Sequence, residues 1–457
     1  MNTPMNDTSK MAIKPMISFL IPIMLASVLQ SIGQVFGMMI VGQKLGVDAL
    51  AAISAFFPLL FFLISFAVGI GSGSSILIGQ SYGGGNLSKT KEIVGVTIAF
   101  TTIVSVVVAI FGSVFSENIL NWMGTPTNIL PISVSYAQIL FITLLITFLY
   151  MTYTTFMRGV GDSKTPFYSL VVSTILNICL LPILVFGLFG SPKFGLNGAA
   201  YATVLSNFIT FVLLLVYLHK TKHVLKLDRI ILKNIRLKGS ILKKLLTLAI
   251  PTSINMVSIA MAEVAVITFV NNYGSNATAA YGITNQLVSY IQIPAMSISI
   301  AISVFVAQAI GSGNTSTIKH ITKLGIKLNY MIGGSLILLV YLFSESILRL
   351  FLTDIEAIGI SKNLIFITFW GYVLYGHMQS LSATMRATGT LLWPTLFMLM
   401  SIWLIEVPTA YFLSHYTNLG INGIWIAYPV SFIFNLTAQS IYHHFIWKNK
   451  SLKTLLN

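Results

Sequence analysis

Residues 219–244, HKTKHVLKLDRIILKNIRLKGSILKK, separate two halves of a strongly apolar chain. This stretch carries nine lysine and arginine residues and a single acid, Asp228. Before it, residues 158–166 (RGVGDSKTP) read R-x-x-G-x-x-x-x-P, and residues 386–394 (RATGTLLWP) have the same spacing 228 positions later. The same offset recovers seven identities between residues 80–93 and 308–321. The chain is therefore an internal duplication joined by a basic linker.

The composition indicates a membrane protein. Of the 457 residues, 56% are hydrophobic and only 8% are charged, whereas a soluble domain carries roughly a quarter charged residues. The net charge of +15 does not indicate nucleic acid, because the lysines lie in short loops between apolar runs. The single cysteine, Cys179, excludes a disulfide framework and a cysteine-based metal site.

Apolar runs of about 20 residues, the length that spans a bilayer, occur six times in each half. We therefore predict an all-α integral membrane protein with twelve transmembrane helices. Its domains are an N-terminal six-helix lobe (1–218), a cytoplasmic basic linker (219–244) and a C-terminal six-helix lobe (245–457). An even number of spans in each half makes the lobes parallel repeats. The predicted spans are 16–41, 50–78, 92–115, 131–157, 166–190, 197–218, 246–271, 278–309, 324–344, 360–387, 393–416 and 420–446.

The distribution of lysine and arginine predicts the orientation. With the N-terminus inside, 22 of the 26 basic residues, Lys10 and Lys14 among them, fall on the inner side. This asymmetry places both termini and the linker in the cytoplasm. The linker is interpreted as a topology anchor, with a short amphipathic helix on the inner membrane surface as the alternative.

Nine of the eleven acids can be placed outside the hydrocarbon core of the membrane, and two remain inside predicted spans. Glu263 follows Pro251 by twelve residues, and Glu406 follows Pro394 by twelve. Each carboxyl therefore lies roughly 18 Å along its helix from the proline at or near the cytoplasmic end. A carboxylate at membrane depth is costly and is a functional hypothesis by default. The alternative is a protonated acid that only ties neighbouring helices together. We predict ion coupling at Glu263 and Glu406, with Glu263 as the principal group.

Polar side chains at helical spacing accompany these acids on two spans of the second half. Such faces are expected to line a wet cavity, whereas the first half has apolar and aromatic groups at the positions that match the eighth-span face. The predicted cavity-lining residues are Tyr281, Asn285, Ser289, Gln292, Tyr372, Tyr375 and Gln379, together with Phe57 and Phe61 of the first half.

Other chemistries are poorly supported by the sequence. No phosphate-binding glycine loop and no metal-ligand cluster occurs, which excludes ATP hydrolysis within this chain. An intramembrane enzyme would need paired catalytic groups, and Glu263 with His377 is the only conceivable pair. We therefore predict that the protein is not an enzyme and has no cofactor.

The pattern resembles the multidrug and toxic-compound extrusion (MATE) family, bacterial type. The resemblance rests on Pro22, residues 41–52 (VGQKLGVDALAA), residues 274–280 (GSNATAA), residues 308–313 (QAIGSG) and the two R-x-x-G-x-x-x-x-P segments. It implies two six-helix lobes forming a V, and secondary active efflux of cationic amphipathic drugs in exchange for H⁺ or Na⁺. It also implies a multi-pass protein of the bacterial cytoplasmic (inner) membrane.

The chain departs from the family pattern at its acids. Many members place an aspartate in the first span, where this chain has Gly37 with Gln34 nearby. Members with a cation site in the second lobe have an acid one turn before the position of Glu263, and another in the tenth span. Coupling through Glu263, with Na⁺ near it as one possibility, is therefore a hypothesis. The alternative function is a lipid-linked oligosaccharide flippase of the same superfamily. We expect a monomer.

Overall fold

The computed structural model describes residues 13–450 and 452–456, which form helices and no strand. Eleven helices are long and apolar enough to cross a membrane, and one further pair bent by 51° gives a twelfth span. The prediction of twelve spans is therefore confirmed. The helices of the first half are α1 (Ile13–Leu45), α2 (Val47–Gly83), α3 (Leu87–Val114), α4 (Ser116–Trp122), the bent pair α5 (Leu130–Ile142) and α6 (Leu144–Gly159), α7 (Lys164–Phe186) and α8 (Leu196–Lys220).

The linker holds a short helix, α9 (Arg229–Lys233), and the second half repeats the pattern of the first. One span of the second half is interrupted, because the π-helical segment Ser401–Glu406 lies between two α-helices. The helices of the second half are α10 (Gly239–Asn271), α11 (Ser275–Gly311), α12 (Ile318–Arg349), α13 (Ile355–Ala387), α14 (Leu392–Met400), α15 (Val407–Tyr416) and α16 (Ile421–Phe445).

The chain divides into two compact units. The N-terminal unit comprises residues 21–250, and the C-terminal unit comprises residues 251–457 with residues 1–20, each as far as it is described. The boundaries fall inside α1 and α10, next to Pro22 and Pro251. The domain limits at 218 and 245 stay a prediction, and so does the orientation. Lys10, which contributes to the charge asymmetry, lies outside the described residues.

The R-x-x-G-x-x-x-x-P segments form the same turn in both units. Gly161 and Gly389 have φ of 90° and 84°, a left-handed conformation that glycine adopts without a steric penalty. Each glycine N–H donates to the carbonyl of the arginine three residues earlier, at 2.9 Å in both turns. The proline that closes the motif lies in the first turn of the next helix, where its missing N–H costs nothing.

The linker docks onto α3 of the N-terminal unit. Asp228 caps α9 by accepting from the N–H groups of Ile230 and Ile231, each at 3.1 Å, and it forms an ion pair with Lys91. Burial alone would raise the pKa of the Asp228 carboxyl, but the hydrogen bonds from Lys91 and the backbone hold that pKa below its usual range. Ile231 is fully buried by the protein, whereas Ile230 and Leu232 are exposed. The short helix therefore packs on the N-terminal unit with one face, and the alternative of a helix at the membrane surface stays a prediction.

The core of the C-terminal unit is built around α13, which packs against α11, α12 and α16. Phe369 of α13 and Trp425 of α16 are completely buried in it. The Trp425 ring stacks on the ring of Tyr281 in α11, with 5.8 Å between the ring centroids. This packing fixes the helices that carry the polar groups described next.

Candidate functional site

The C-terminal unit contains a cavity of about 90 Å³ bounded by α10, α11, α13, α16 and the interrupted span. Both intramembrane acids, Glu263 and Glu406, contribute to its wall. We call it the acidic cavity, because its described wall holds no lysine, arginine or histidine. Its other polar wall residues are Asn285, Gln292, Tyr372, Tyr375, Ser401, Tyr428 and Ser431.

Glu406 is the last residue of the π-helical segment and is only 8% exposed. Pro408 comes two residues later and has no N–H to donate to the preceding turn. Such wide turns inside α-helices are frequent at functional sites. The segment is tied to α16, because the Ser401 hydroxyl donates to the Ser431 carbonyl at 2.9 Å.

The hydroxyl of Ser431 suits both protonation states of Glu406. It can donate to Oε2 of an ionised Glu406 at 3.0 Å. It can instead donate to the Tyr428 carbonyl at 2.9 Å, which leaves its oxygen free to accept from a protonated Glu406. A hydroxyl has one hydrogen and two lone pairs, so a proton can arrive or leave with only a rotation of this group.

Glu263 occupies a different position in the acidic cavity. It lines the wall but is itself exposed, which places it at the rim, whereas Glu406 lies inside. Its α10 neighbours in the wall, Ile259 and Ala262, are apolar. The two acids therefore provide one accessible and one enclosed carboxylate in a single cavity.

The predicted polar faces converge only in part. Asn285, Gln292, Tyr372 and Tyr375 line the acidic cavity. Three of the seven predicted polar residues lie outside its wall. Gln379 donates to the Tyr375 hydroxyl at 3.1 Å, Tyr281 is buried and shares a hydrogen bond of 2.9 Å with the Tyr428 hydroxyl, and Ser289 is exposed and donates to the carbonyl of Asn285.

The aromatic pair of the first half lies in the other compact unit. Phe57 is 47% exposed and Phe61 is partly exposed. Their assignment to a substrate surface stays a prediction. His377 is also separate from Glu263, since it lines another cavity and shares a hydrogen bond with the Tyr330 hydroxyl at 3.1 Å.

The sequence interpretation missed the contribution of α16. Tyr428 and Ser431 belong to a row of polar residues that continues through Asn435 and Gln439, at steps of three, four and four. That spacing marks one helical face and was available as a signal. The spacing could not identify Glu406 as the partner of Ser431, because the contact between them joins two different helices.

The size of the acidic cavity limits what it can hold. A buried water needs about 10 to 15 Å³ of such space, so 90 Å³ accommodates an ion with several waters. Drug-sized ligands need roughly 300 to 1,000 Å³. In the described conformation the cavity is therefore suited to a small cation and not to a drug.

Comparison with known proteins assigns the family. The MatE family model matches residues 22–183 and 251–412, two segments of equal length in the two halves. The chain belongs to the MATE family. It is therefore a multi-pass membrane transporter and not an enzyme.

Its relatives include proteins named for different cargo. Probable multidrug resistance protein YoeA of Bacillus subtilis is 53% identical over 438 residues, covering 96% of this chain and 95% of that protein. The FAD transporter of Shewanella oneidensis is 26% identical and covers 85% of each. A crystal structure of MATE in the bent conformation has a similar fold, with a TM-score of 0.86 at 24% identity over 95% of this chain and 94% of that one.

Proposed function

We propose that this MATE protein is a secondary active multidrug exporter of the bacterial cytoplasmic membrane, which expels cationic amphipathic compounds in exchange for entering H⁺ or Na⁺. The observation that carries the proposal is the acidic cavity, where two carboxylates share one wall with no basic residue among its described members. An inward-moving cation fits this cavity as it is, and an outward-moving cationic drug can compete with it in a conformation in which the cavity is wider. The name of the 53% identical relative supports multidrug efflux.

In the proposed cycle, Glu263 at the rim takes up the entering ion and Glu406 holds the enclosed position. Neutralising a carboxylate removes its attraction for a cationic drug, and losing the ion restores that attraction. The ion gradient supplies about 2.3 kcal/mol per charge per 100 mV of membrane potential. The Ser431 hydroxyl supports H⁺ as the ion at Glu406, whereas the oxygen-rich wall is also compatible with Na⁺.

The alternative, a flippase for a lipid-linked oligosaccharide, is not favoured. Such a substrate carries a pyrophosphate, which calls for cationic groups, and the described wall of the acidic cavity has none. The same argument disfavours an anionic cargo such as FAD at this cavity.

Efflux by inverted membrane vesicles tests the proposal. Ethidium transport should follow an imposed gradient of H⁺ or Na⁺ and collapse when that gradient is dissipated. Glu263→Gln should abolish transport, and Glu406→Gln should reduce it less. Glu117→Gln, which neutralises an exposed acid of α4, is the matched control and should be normal. Wild-type efflux by a well-expressed Glu263→Gln variant would transfer the principal role to Glu406, and normal efflux by the double variant would overturn the proposal.

A further inference from the structure

A second cavity of the C-terminal unit, about 790 Å³, lies between α12 and α16 with α13 at its floor. Lys319 and Lys323 of α12 and Lys448, which follows α16, contribute to its wall. Three histidines also line it, and no aspartate or glutamate does among the described residues. We call it the α12–α16 cavity.

The internal duplication shows what covers the matching surface in the first half. Moving back 228 positions, Lys319, Lys323 and Leu381 of the α12–α16 cavity become Lys91, Gly95 and Tyr153. All three counterparts contact the linker. The Lys91 ammonium pairs with Asp228, a side chain on Gly95 would come within 2.6 Å of the Asn234 backbone, and the Tyr153 hydroxyl donates to the Leu225 carbonyl at 3.2 Å.

The two halves therefore differ in how the shared lysine is neutralised. The Lys91 side chain is only 15% exposed and has a carboxylate partner. Lys319 is exposed, and neither it nor Lys323 nor Lys448 forms an ion pair with a described residue. In the second half the end of the chain also reaches this surface, through Trp447 and Leu452, but none of its described residues supplies a carboxylate to the three lysines.

The shape of the α12–α16 cavity indicates the kind of anion. Lys319, Lys323 and Ile326 lie at i, i+4 and i+7 on one face of α12, so the wall changes from charged to apolar along the helix. Leu381 at the floor and Ile441 on α16 continue the apolar part. A free phosphate would use only the charged end, whereas a phospholipid would use both.

We propose that the α12–α16 cavity binds an anionic phospholipid. Its phosphate lies against Lys319, Lys323 and Lys448, and an acyl chain follows Ile326 and Ile441. Basic pockets between transmembrane helices on the cytoplasmic side are a known mode of binding acidic headgroups, and the charge distribution predicts that this end is cytoplasmic. Binding here depends neither on the coupling ion nor on the exported compound.

Native mass spectrometry of the purified full-length protein tests this directly. Phosphatidylglycerol should be retained in preference to phosphatidylcholine. The triple variant Lys319→Gln, Lys323→Gln, Lys448→Gln should retain it about a hundredfold more weakly, roughly fivefold for each charge. Replacing the same three lysines by arginine should preserve retention. The single Lys323→Gln variant gives a fivefold effect that can be measured even if the triple variant does not fold.

The control is the triple variant Lys220→Gln, Lys233→Gln, Lys243→Gln, which removes three exposed charges outside the cavity. Its retention of phosphatidylglycerol should be unchanged. Equal loss in this control, or no loss when the three cavity lysines are replaced, would overturn the proposal. Displacement of the lipid by millimolar inorganic phosphate would likewise contradict it, because the cavity would then recognise the phosphate alone.

Discussion

At the scale of single residues, the distinctive feature is a pair of hydrogen bonds that connect Ser401 to Ser431 and Ser431 to Glu406. Ser431 is fully buried, and its hydroxyl is the hydrogen-bond partner that the structure gives the Glu406 carboxyl. A hydrogen bond to a charged group contributes about 1.5 to 3 kcal/mol. Removing it therefore affects the ionised state of Glu406 more than the protonated state.

We expect Ser431→Ala to shift the pH dependence of efflux. The ionised carboxylate loses its donor, so a higher pH is needed to keep it charged and able to attract a cationic drug. The pH at half-maximal ethidium efflux by inverted vesicles should rise by about one pH unit. Ser380→Ala, which removes a buried hydroxyl bonded within its own helix, should leave the profile unchanged. An unshifted profile in Ser431→Ala would argue against the role of this hydroxyl.

At the scale of elements, the basic linker is held against α3 by specific contacts. Gly95 permits this docking, since its missing side chain leaves room for the backbone of Asn234. The ion pairs of Lys91 with Asp228 and of Lys238 with Glu92 flank the contact. The linker is therefore a packed part of the N-terminal unit as well as the connection between repeats.

Gly95→Ala should loosen the linker. The added methyl must displace Asn234, and overpacking of this kind costs about 1 to 3 kcal/mol, which favours local opening. Trypsin cleavage within residues 219–244 should become about tenfold faster in the purified protein. Gly334→Ala in α12, where no atom lies within 4 Å of the added carbon, is the control. Unchanged cleavage in Gly95→Ala would show that the linker is free in solution.

Some features of these elements could be predicted from the sequence, and others could not. The repeated turns at Gly161 and Gly389, the span count and the placement of Glu263 and Glu406 inside long apolar helices depend on local patterns, and all of these could be predicted. Other features depend on contacts between helices: the bend at Thr143, the π-helical segment that ends at Glu406 and the pairing of Ser431 with that acid. A single sequence encodes those contacts only through the whole packing, so they could not be predicted from periodicity.

At the scale of the whole molecule, the two halves share a pattern but differ in chemistry. The acidic cavity lies entirely within the C-terminal unit, whereas Phe57 and Phe61 present aromatic surface in the N-terminal unit. We expect Phe57→Ala and Phe61→Ala to change which drugs are exported while ion-driven transport of other compounds survives. Aromatic faces attract organic cations by about 0.5 to 2 kcal/mol. Competition among a panel of drugs in vesicles measures this, and equal loss for every drug would contradict it.

The orientation of the whole chain is predicted from its charges. A reporter active only outside the cytoplasmic membrane should be silent when fused within residues 219–244 or after Asn457. Fusion in the segment around Lys193, one of the four basic residues predicted to lie outside, should give activity and serves as the positive control. Activity at the linker or at Asn457 would overturn the predicted topology.

Coupled transport in the proposed cycle depends most on competition between a coupling ion and a cationic drug at the acidic cavity. The direct test is the dissociation constant of ethidium for the purified protein, measured across pH and Na⁺ concentration. We predict that acidification or Na⁺ weakens binding to the wild type, and that the double variant Glu263→Gln, Glu406→Gln binds weakly and responds to neither. Wild-type affinity that ignores both ions, or a double variant that remains as sensitive as the wild type, would contradict the account.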